Sequence, residues 1–445
     1  MARGAGSGRR RFEADFGAVS EPRFEPPPGE RPGILARLVL DTRPLRHASF
    51  RRLWIGQAIS LMGSMVSFVA VPYQLYQLTH STLQVGLLAF ADLVPLLTLA
   101  LVGGAIADAV DRRRLLLITE VGFALVSLAL AGNAALAHPH VWALYVLAFA
   151  GASCWCLGSP ALRSLSPRLV PEEQLTAAVV LNGVYSNLGA VAGPALGGLL
   201  VSGFGLTTTY LIDFGTFGAS LVAIGLLPAI PPAAEASSPG LRSLVEGFRF
   251  VRSQPAIMGV FLLDTNAMIF GMPSALFPAL AVHRFHAGAG TVGLLYGAPY
   301  AGALAASVVS GWIQRIRRQA AAVALFAAAW GLALVGFGLV TALWLALAFL
   351  ALAGAADYVS AALRTAIVLD ATPDAMRGRV SGIELAQVAA APTLGNVEAG
   401  VLASLTSLRF SVVSGGLVCV AGTIAIGLAL PALARYDSRK PDAET

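Results

Sequence analysis

The sequence predicts an all-α membrane protein in which twelve transmembrane helices form two six-helix pseudo-repeats around a central cavity. Of the 445 residues, 56% are hydrophobic and only 12% are charged, and the mean hydropathy is +0.73. A water-soluble chain of this length would need far more polar surface. The apolar residues also fall into long runs, so lipid is the solvent for most of the chain.

The apolar runs have the length of membrane-crossing helices. A crossing needs ~20 mostly apolar residues, because lipid cannot satisfy backbone N–H and C=O groups. Twelve runs fit, at 53–76, 82–107, 115–137, 141–163, 176–202, 206–228, 255–281, 289–313, 320–341, 343–366, 380–404 and 410–433.

The arginines between the runs predict the orientation of the chain. Short loops rich in Lys and Arg stay in the cytoplasm. If Arg112–Arg114 face the cytoplasm, so do all but Arg284 and Arg409 of the 30 basic residues. We expect a multi-pass protein of the cell membrane with both termini cytoplasmic. The net charge of +6 then reflects topology, and no nucleic-acid partner is expected.

The runs divide the chain into five predicted segments. The ends are polar, and the stretch 241–254 places apolar residues at helical spacing opposite arginines, as in helices that lie on a lipid surface. The predicted segments are a disordered cytoplasmic tail (1–48), a six-helix bundle (49–228), a cytoplasmic linker with the surface helix (229–254), a second six-helix bundle (255–434) and a cytoplasmic tail (435–445).

The two bundles resemble each other in sequence. The stretch 85–104 aligns with 292–311, with Val-Gly-Leu-Leu at the start and Gly at the end of both. Residues 170–198 align with 372–400 and keep one proline and two glycines in register. An internal repeat of this kind predicts a binding cavity between the halves.

Two motifs resemble signatures of the major facilitator superfamily. Its loop after the second helix reads Gly-x-x-x-Asp-x-x-Gly-Arg-Lys/Arg-x. Asp111 stands here in place of the second glycine, and the other positions of the loop are Gly104, Asp108, Arg112, Arg113 and Arg114. Its exporters that exchange substrate for protons carry Gly-x-x-x-Gly-Pro-x-x-Gly-Gly in the fifth helix, which is complete here as Gly189, Gly193, Pro194, Gly197 and Gly198.

Shorter stretches narrow the resemblance. The segments "THSTLQVGL" (79–87) and "TPDAMRGRVSG" (372–382) are similar to those of siderophore exporters and related bacterial efflux proteins. The resemblance covers roughly residues 45–435. It implies an exporter that works by alternating access.

The resemblance implies a cytoplasmic gate at Gly104, Asp108, Arg112 and Arg113. Asp108 can accept hydrogen bonds from the unpaired N–H groups at the start of the eleventh helix, near residues 378–382. The alternative is a simple topology anchor, which would need the arginines but neither Gly104 nor Asp108.

The fifth-helix motif predicts a packing face and a bend. Its four glycines are expected to form one smooth face, and Pro194 removes a backbone hydrogen bond. The alternative is that these glycines serve ordinary helix packing.

Carboxylates within the runs are candidates for proton coupling, because ionisable groups in lipid usually face a cavity. Asp92, Asp264 and Asp357 fall near mid-depth. The alternative for each is a buried structural aspartate. For Asp357, Arg364 lies two turns further along the same helix face and is a candidate partner.

Polar and aromatic side chains on three helices are candidates for the cavity wall, although Trp and Tyr near span ends are also common interfacial anchors. These candidates are Trp54, Gln57, Tyr73, Gln77, Asn266, Tyr296 and Tyr300.

The predicted function is secondary, proton-coupled export of a small amphipathic molecule such as a siderophore or drug. The alternatives are import of a small metabolite and a non-transporting sensor or scaffold on the same fold. The sequence has no phosphate-binding loop and no convincing nucleophile or metal constellation. We therefore predict no enzyme activity, no cofactor and no metal. The expected partners are the substrate, protons and lipid, and we expect a monomer.

Overall fold

The computed structural model describes residues 41–227, 241–431 and 433, with the backbone alone at 100–109, 166, 241–244 and 375. This part is almost entirely helical and contains no β-strand. We number the membrane-crossing helices α1 to α12. Nine of them are α1 (Ala48–Thr79), α2 (Thr82–Ala109), α3 (Arg112–Ala135), α4 (Val141–Leu165), α8 (Ala289–Val308), α9 (Gln319–Leu339), α10 (Leu343–Ala371), α11 (Asp374–Leu405) and α12 (Leu408–Ala429).

Eleven described segments are long and apolar enough to cross a membrane, and one of them contains two crossings. This segment, Glu172–Gly225, is 54 residues long and leaves helical geometry at Gly205, with φ 76° and ψ 171°. Glycine adopts such a φ without strain because it has no Cβ. The break gives α5 (175–204) and α6 (206–225), each long enough for a ~30 Å hydrocarbon core. The prediction of twelve transmembrane helices is confirmed.

The seventh crossing, α7 (Pro255–His283), is interrupted between Phe270 and Phe277. Side chains from neighbouring helices satisfy the backbone there. Trp330 Nε1 donates to Gly271 O at 3.1 Å, and Asn396 Oδ1 accepts from the backbone N–H of Ala275 at 2.8 Å. Irregular backbone at membrane depth persists only where protein or a cavity replaces lipid.

The two halves repeat one packing pattern. In the first half, α1 packs on α5 and α6, and α4 packs on α2 and α3; in the second, α7 packs on α11 and α12, and α10 packs on α8 and α9. Between the halves, α2 packs on α11 and α5 on α8. These two interfaces are equivalent under the repeat, so the prediction of two six-helix pseudo-repeats is confirmed.

One end of the bundle carries Arg112–Arg114, Arg163 and Arg315, and we call it the basic end. In the described part of the chain, the hydrogen bonds between α1–α6 and α7–α12 lie toward the other end. Thr82 Oγ1 donates to Gly400 O at 3.0 Å, Gly290 N donates to Ser202 Oγ at 2.8 Å, and the Tyr76 hydroxyl lies 2.8 Å from His283 Nε2. The described halves are therefore joined at the end opposite the arginines.

The linker contains the predicted surface helix, at Leu241–Ser253. It packs on the second half: Val251 is buried in the apolar core, and Glu246 forms a salt bridge with Arg379 at 3.2 Å. Val245 and Phe248 are exposed. These two side chains are available to lipid, as the amphipathic pattern predicts.

The predicted segment boundaries differ from the structure at the start of the chain. Residues 41–48 were predicted to belong to a disordered tail, but Arg43–Arg46 form a 3-10 turn and α1 begins at Ala48. Pro44 is buried, so packing orders this stretch. The rest of both predicted tails and the linker residues 229–240 lie outside the described residues.

Asp111 is the N-cap of α3, and its side chain accepts a hydrogen bond from the backbone N–H of Arg114 at 3.0 Å. This position therefore holds a capped helix start, with φ −54°, where the superfamily signature has a glycine. Asp can do this because its short carboxylate reaches the free N–H groups of the first helical turn.

Asp111→Ala should lower the free energy of unfolding by about 1 kcal/mol, since it leaves one of these N–H groups without its acceptor. Unfolding of the purified protein by denaturant in mixed micelles measures the change. Asp111→Asn, which retains an acceptor oxygen, should lose much less. Equal losses in the two variants would contradict the capping role.

Candidate functional site

The larger cavity lies within the first half and measures about 470 Å³. It extends from Phe50 and Arg163 near the basic end to Ser64 and Met65 on α1, and it reaches Phe217 on α6. Aromatic side chains form much of its wall. A cavity of this size accommodates a small organic molecule.

The smaller cavity measures about 200 Å³ and lies beside the interruption of α7. Its wall includes Met272, Tyr296, Tyr300 and Asp357 from the second half, and Phe68 of α1 closes it from the first half. Phe68 contacts Tyr296 edge-on, with ring centroids 5.1 Å apart. Both halves therefore contribute to this cavity.

Among the described side chains of the first half, two carboxylates are buried, and sequence reasoning did not select either. Glu120, on α3, accepts from Gln57 Nε2 at 2.8 Å and from Ser60 Oγ at 3.3 Å. Asp213, on α6, accepts from Ser67 Oγ at 2.5 Å and from Ser127 Oγ at 2.7 Å. Donors on α1 thus reach both groups, and Glu120 lines the larger cavity.

Asp264 forms the centre of a polar cluster in the second half. Arg364 forms a salt bridge with Asp264, and Gln387 Nε2 donates to the other carboxylate oxygen at 2.9 Å. Asp264 and Arg364 are only 5% and 7% exposed. Arg364 was considered as a partner for Asp357, but its guanidinium crosses from α10 to α7 and binds Asp264.

The other two coupling candidates are more accessible. Asp357 lines the smaller cavity, and Asp92 is exposed on α2. The structure therefore separates the three aspartates: one is paired with an arginine, one faces a cavity and one is open to the surroundings.

The glycines of the fifth-helix motif face two neighbours. A Cβ at Gly189, Gly193 or Gly197 would collide with Leu61, Met65 or Val66 of α1, whereas a Cβ at Gly198 would lie 2.5 Å from Ala289 O of α8. The expectation of one smooth face was wrong, because consecutive helical residues point ~100° apart. The motif thus supports close packing within the first half and across the interface.

The α5 helix continues through Pro194, and the carbonyl oxygen of Pro194 packs against Gly293 of α8. The break in the long segment is instead at Gly205, near the end opposite the arginines. Pro194 therefore lies at the α5–α8 interface between the two halves.

The predicted gate is only partly described. Arg113 donates to the carbonyl oxygens of Ile224 and Gly225 at the end of α6, and Arg112 is buried. The side chain of Asp108 and the surroundings of Gly104 lie outside the described part of the structure. The proposed contact of Asp108 with the start of α11 therefore stays a prediction.

The wall candidates fall in four places. Trp54 and Gln57 line the larger cavity, and Tyr296 and Tyr300 line the smaller one. Asn266 instead donates to Cys419 O at 2.8 Å, inside the second half. Two further candidates bond each other on α1, where Gln77 Nε2 lies 2.6 Å from the Tyr73 hydroxyl.

Comparison with known proteins gives a family match over nearly the whole chain. The family model described as transmembrane secretion effector matches residues 41–443. The chain is 33% identical over 377 residues to the enterobactin exporter EntS of Citrobacter koseri, covering 84% of this chain and 90% of that protein. It is 32% identical over 397 residues to EntS of Shigella boydii serotype 18, covering 89% and 95%.

Solved transporters share the fold at low sequence identity. A POT family transporter in complex with 5-aminolevulinic acid has a TM-score of 0.70 at 14% identity, with 86% of this chain and 96% of that chain covered. The nucleoside transporter NupG has a TM-score of 0.70 at 12% identity, with coverage of 87% and 100%. These likenesses concern the fold alone.

Proposed function

The chain belongs to the transmembrane secretion effector family and has the major facilitator fold of a multi-pass membrane transporter, and from this premise we propose that it is a proton-coupled exporter. Its cargo is a small amphipathic molecule of the siderophore or drug type, and it works in the inner membrane by alternating access. The enterobactin exporters to which it is similar support the direction of transport.

The observation that carries the proposal is the uneven contact between the halves. The hydrogen bonds between them lie toward the end opposite the arginines, while the larger cavity reaches Arg163 at the basic end. The positive-inside rule assigns the basic end, and with it both termini, to the cytoplasm. In this orientation the described conformation opens toward the cytoplasm, the side on which an exporter loads its cargo and an importer releases it. The similarity to the enterobactin exporters favours loading, and hence export.

In the opposite conformation, we assign closure of the basic end to Gly104, Asp108, Arg112 and Arg113. Gly104 allows close approach of a helix, and Asp108 accepts from the start of α11. The fifth-helix residues Gly198 and Pro194 contact α8 at the interface that must open in exchange.

Proton coupling is assigned to Asp92, Asp264 and Asp357. A carboxylate that faces a cavity can exchange a proton with whichever side is open, and this favours Asp357. Asp92 lines neither of the two cavities but is exposed on α2, so it remains a candidate. Asp264 would act differently, because its protonation removes the charge that Arg364 binds.

Gradient-driven uptake into inside-out vesicles tests the function. The two compounds to assay are an iron-free siderophore and a lipophilic cation dye, each with and without a proton gradient. We expect at least one of them to accumulate only when the gradient is present. Asp357→Asn should reduce this accumulation by about tenfold or more, because Asn cannot exchange a proton. Asp92→Asn and Asp264→Asn show which other carboxylate contributes.

The controls separate coupling from folding. Each variant should retain its elution profile in detergent and should still exchange labelled for unlabelled cargo without a gradient. Equal accumulation of cargo with and without the proton gradient would contradict proton coupling. If folded wild-type protein moves neither compound, export of these two cargo types is wrong.

A further inference from the structure

The larger cavity has walls suited to aromatic rings. Trp54 and Tyr185 meet edge-on at one side, with centroids 5.9 Å apart, and Phe123 and Phe217 stack within 1° of parallel at 5.4 Å. Trp54 is held in place because its Nε1 donates to Leu181 O at 3.0 Å. Fixed rings of this kind provide contact area and electron-rich faces that also attract cations.

Glu120 is the buried carboxylate of this cavity, with an exposed fraction of 6%. Glu120 lies about 12 Å along α3 from the start of that helix at the basic end. Arg163 lies only about 3 Å from the end of α4, where it is exposed at the rim of the cavity. Among the described side chains, no Lys, Arg or His forms a salt bridge with Glu120. Its hydrogen-bond donors, Gln57 and Ser60, are neutral.

The second half supplies an internal comparison. When the offset between 85–104 and 292–311 is carried back to α1, Gln57 falls on Asp264 of α7. Asp264 is neutralised by Arg364 within the fold. A buried carboxylate with no cation of its own is costly unless it takes up a proton or a bound positive group neutralises it. Glu120 faces a cavity in which such a group has room.

We infer that the larger cavity binds an aromatic cation, with its rings between the aromatic walls and its positive group at Glu120. A volume of about 470 Å³ suits a molecule of two to four rings. The inference deepens the proposed function by giving the class of the cargo, and it rests on that function only in taking the ligand to be transported.

Ethidium is the probe, and its binding to the purified full-length protein in detergent is followed by fluorescence without any gradient. Glu120→Gln should weaken binding by about tenfold or more, since one charge-assisted contact is lost. Gln57→Lys should do the same, because it places an ammonium beside Glu120 and recreates the closed pair of the other half. Glu398→Gln, which removes a carboxylate outside both cavities, should change affinity by no more than about twofold.

Phenanthridine, the uncharged ring system of ethidium, separates charge recognition from aromatic packing. Wild type should bind it more weakly than ethidium, and Glu120→Gln should leave its affinity nearly unchanged. The inference is overturned if wild type shows no saturable ethidium binding, if it binds phenanthridine as tightly, or if both Glu120→Gln and Gln57→Lys fold and bind ethidium like wild type.

The two proposals fail in different ways. If the protein exports the siderophore but does not bind ethidium, the inferred cation site is wrong and the proposed export is unaffected. If it binds ethidium through Glu120 but transports nothing, the proposed function is wrong and the inferred binding site is unaffected.

Discussion

Arg364→Met should lower the free energy of unfolding by about 3–5 kcal/mol, the cost typical of breaking a buried ion pair. The guanidinium is the partner of Asp264, and both side chains are buried. Without Arg364, the Asp264 carboxylate retains only neutral donors such as Gln387. Unfolding in mixed micelles, followed by tryptophan fluorescence, measures the loss.

The double variant Asp264→Asn/Arg364→Met is the matched control. Neither buried charge remains, so we expect it to recover most of the stability lost in the single variant. If the double variant is as unstable as Arg364→Met alone, the loss comes from packing around Arg364, and the account of the ion pair is contradicted.

Gly198→Val should abolish gradient-driven transport by preventing closure at the end opposite the arginines. The new Cβ would lie 2.5 Å from the backbone oxygen of Ala289 and 3.0 Å from Cα of Gly293. Backbone atoms of a packed helix cannot yield as a flexible side chain does, so α5 and α8 must separate. The population should shift toward the conformation that is open at this end.

A cysteine at position 82 reports this shift, in a background where Cys154, Cys156 and Cys419 are replaced by Ala. Thr82 is only 9% exposed and contacts Gly400 across the α2–α11 interface at the same end, so a membrane-impermeant maleimide should react slowly while this end is closed. Gly198→Val should raise the labelling rate several-fold. Gly203→Val is the control, because a Cβ there meets open space; equal rates for both valine variants would show that Gly198 has no special role in closure.

Helix existence and pairing into halves were predictable from sequence because they depend on local composition and on the internal repeat. The boundary between the fifth and sixth spans was placed at 202–206, and the chain breaks at Gly205. The helix-5 glycines show the limit of this reasoning. Helical spacing alone puts Gly198 on a different face from Gly197, but the identity of each neighbour depends on how α1 and α8 pack.

The polar networks were less predictable, because each one joins helices that are distant in sequence. Arg364 lies on the same helix as Asp357, yet it binds Asp264 of α7. Glu120 lies on α3, and its hydrogen-bond donors Gln57 and Ser60 lie about 60 residues earlier in the chain, on α1. The repeat offset of 85–104 and 292–311, when extended back to α1, places Gln57 over Asp264 and indicates that this position is polar in both halves.

Distances between paired spin labels test alternating access most directly. One pair, at Arg168 and Arg317, spans the halves at the basic end, and a second, at His138 and Thr341, spans them at the other end; all four positions are exposed. Under cargo and acidic conditions that drive turnover, we predict that the first distance shortens in part of the population while the second lengthens. If both distances stay fixed in every condition while the reconstituted protein transports cargo, the rocking of two halves about the α2–α11 and α5–α8 interfaces is wrong.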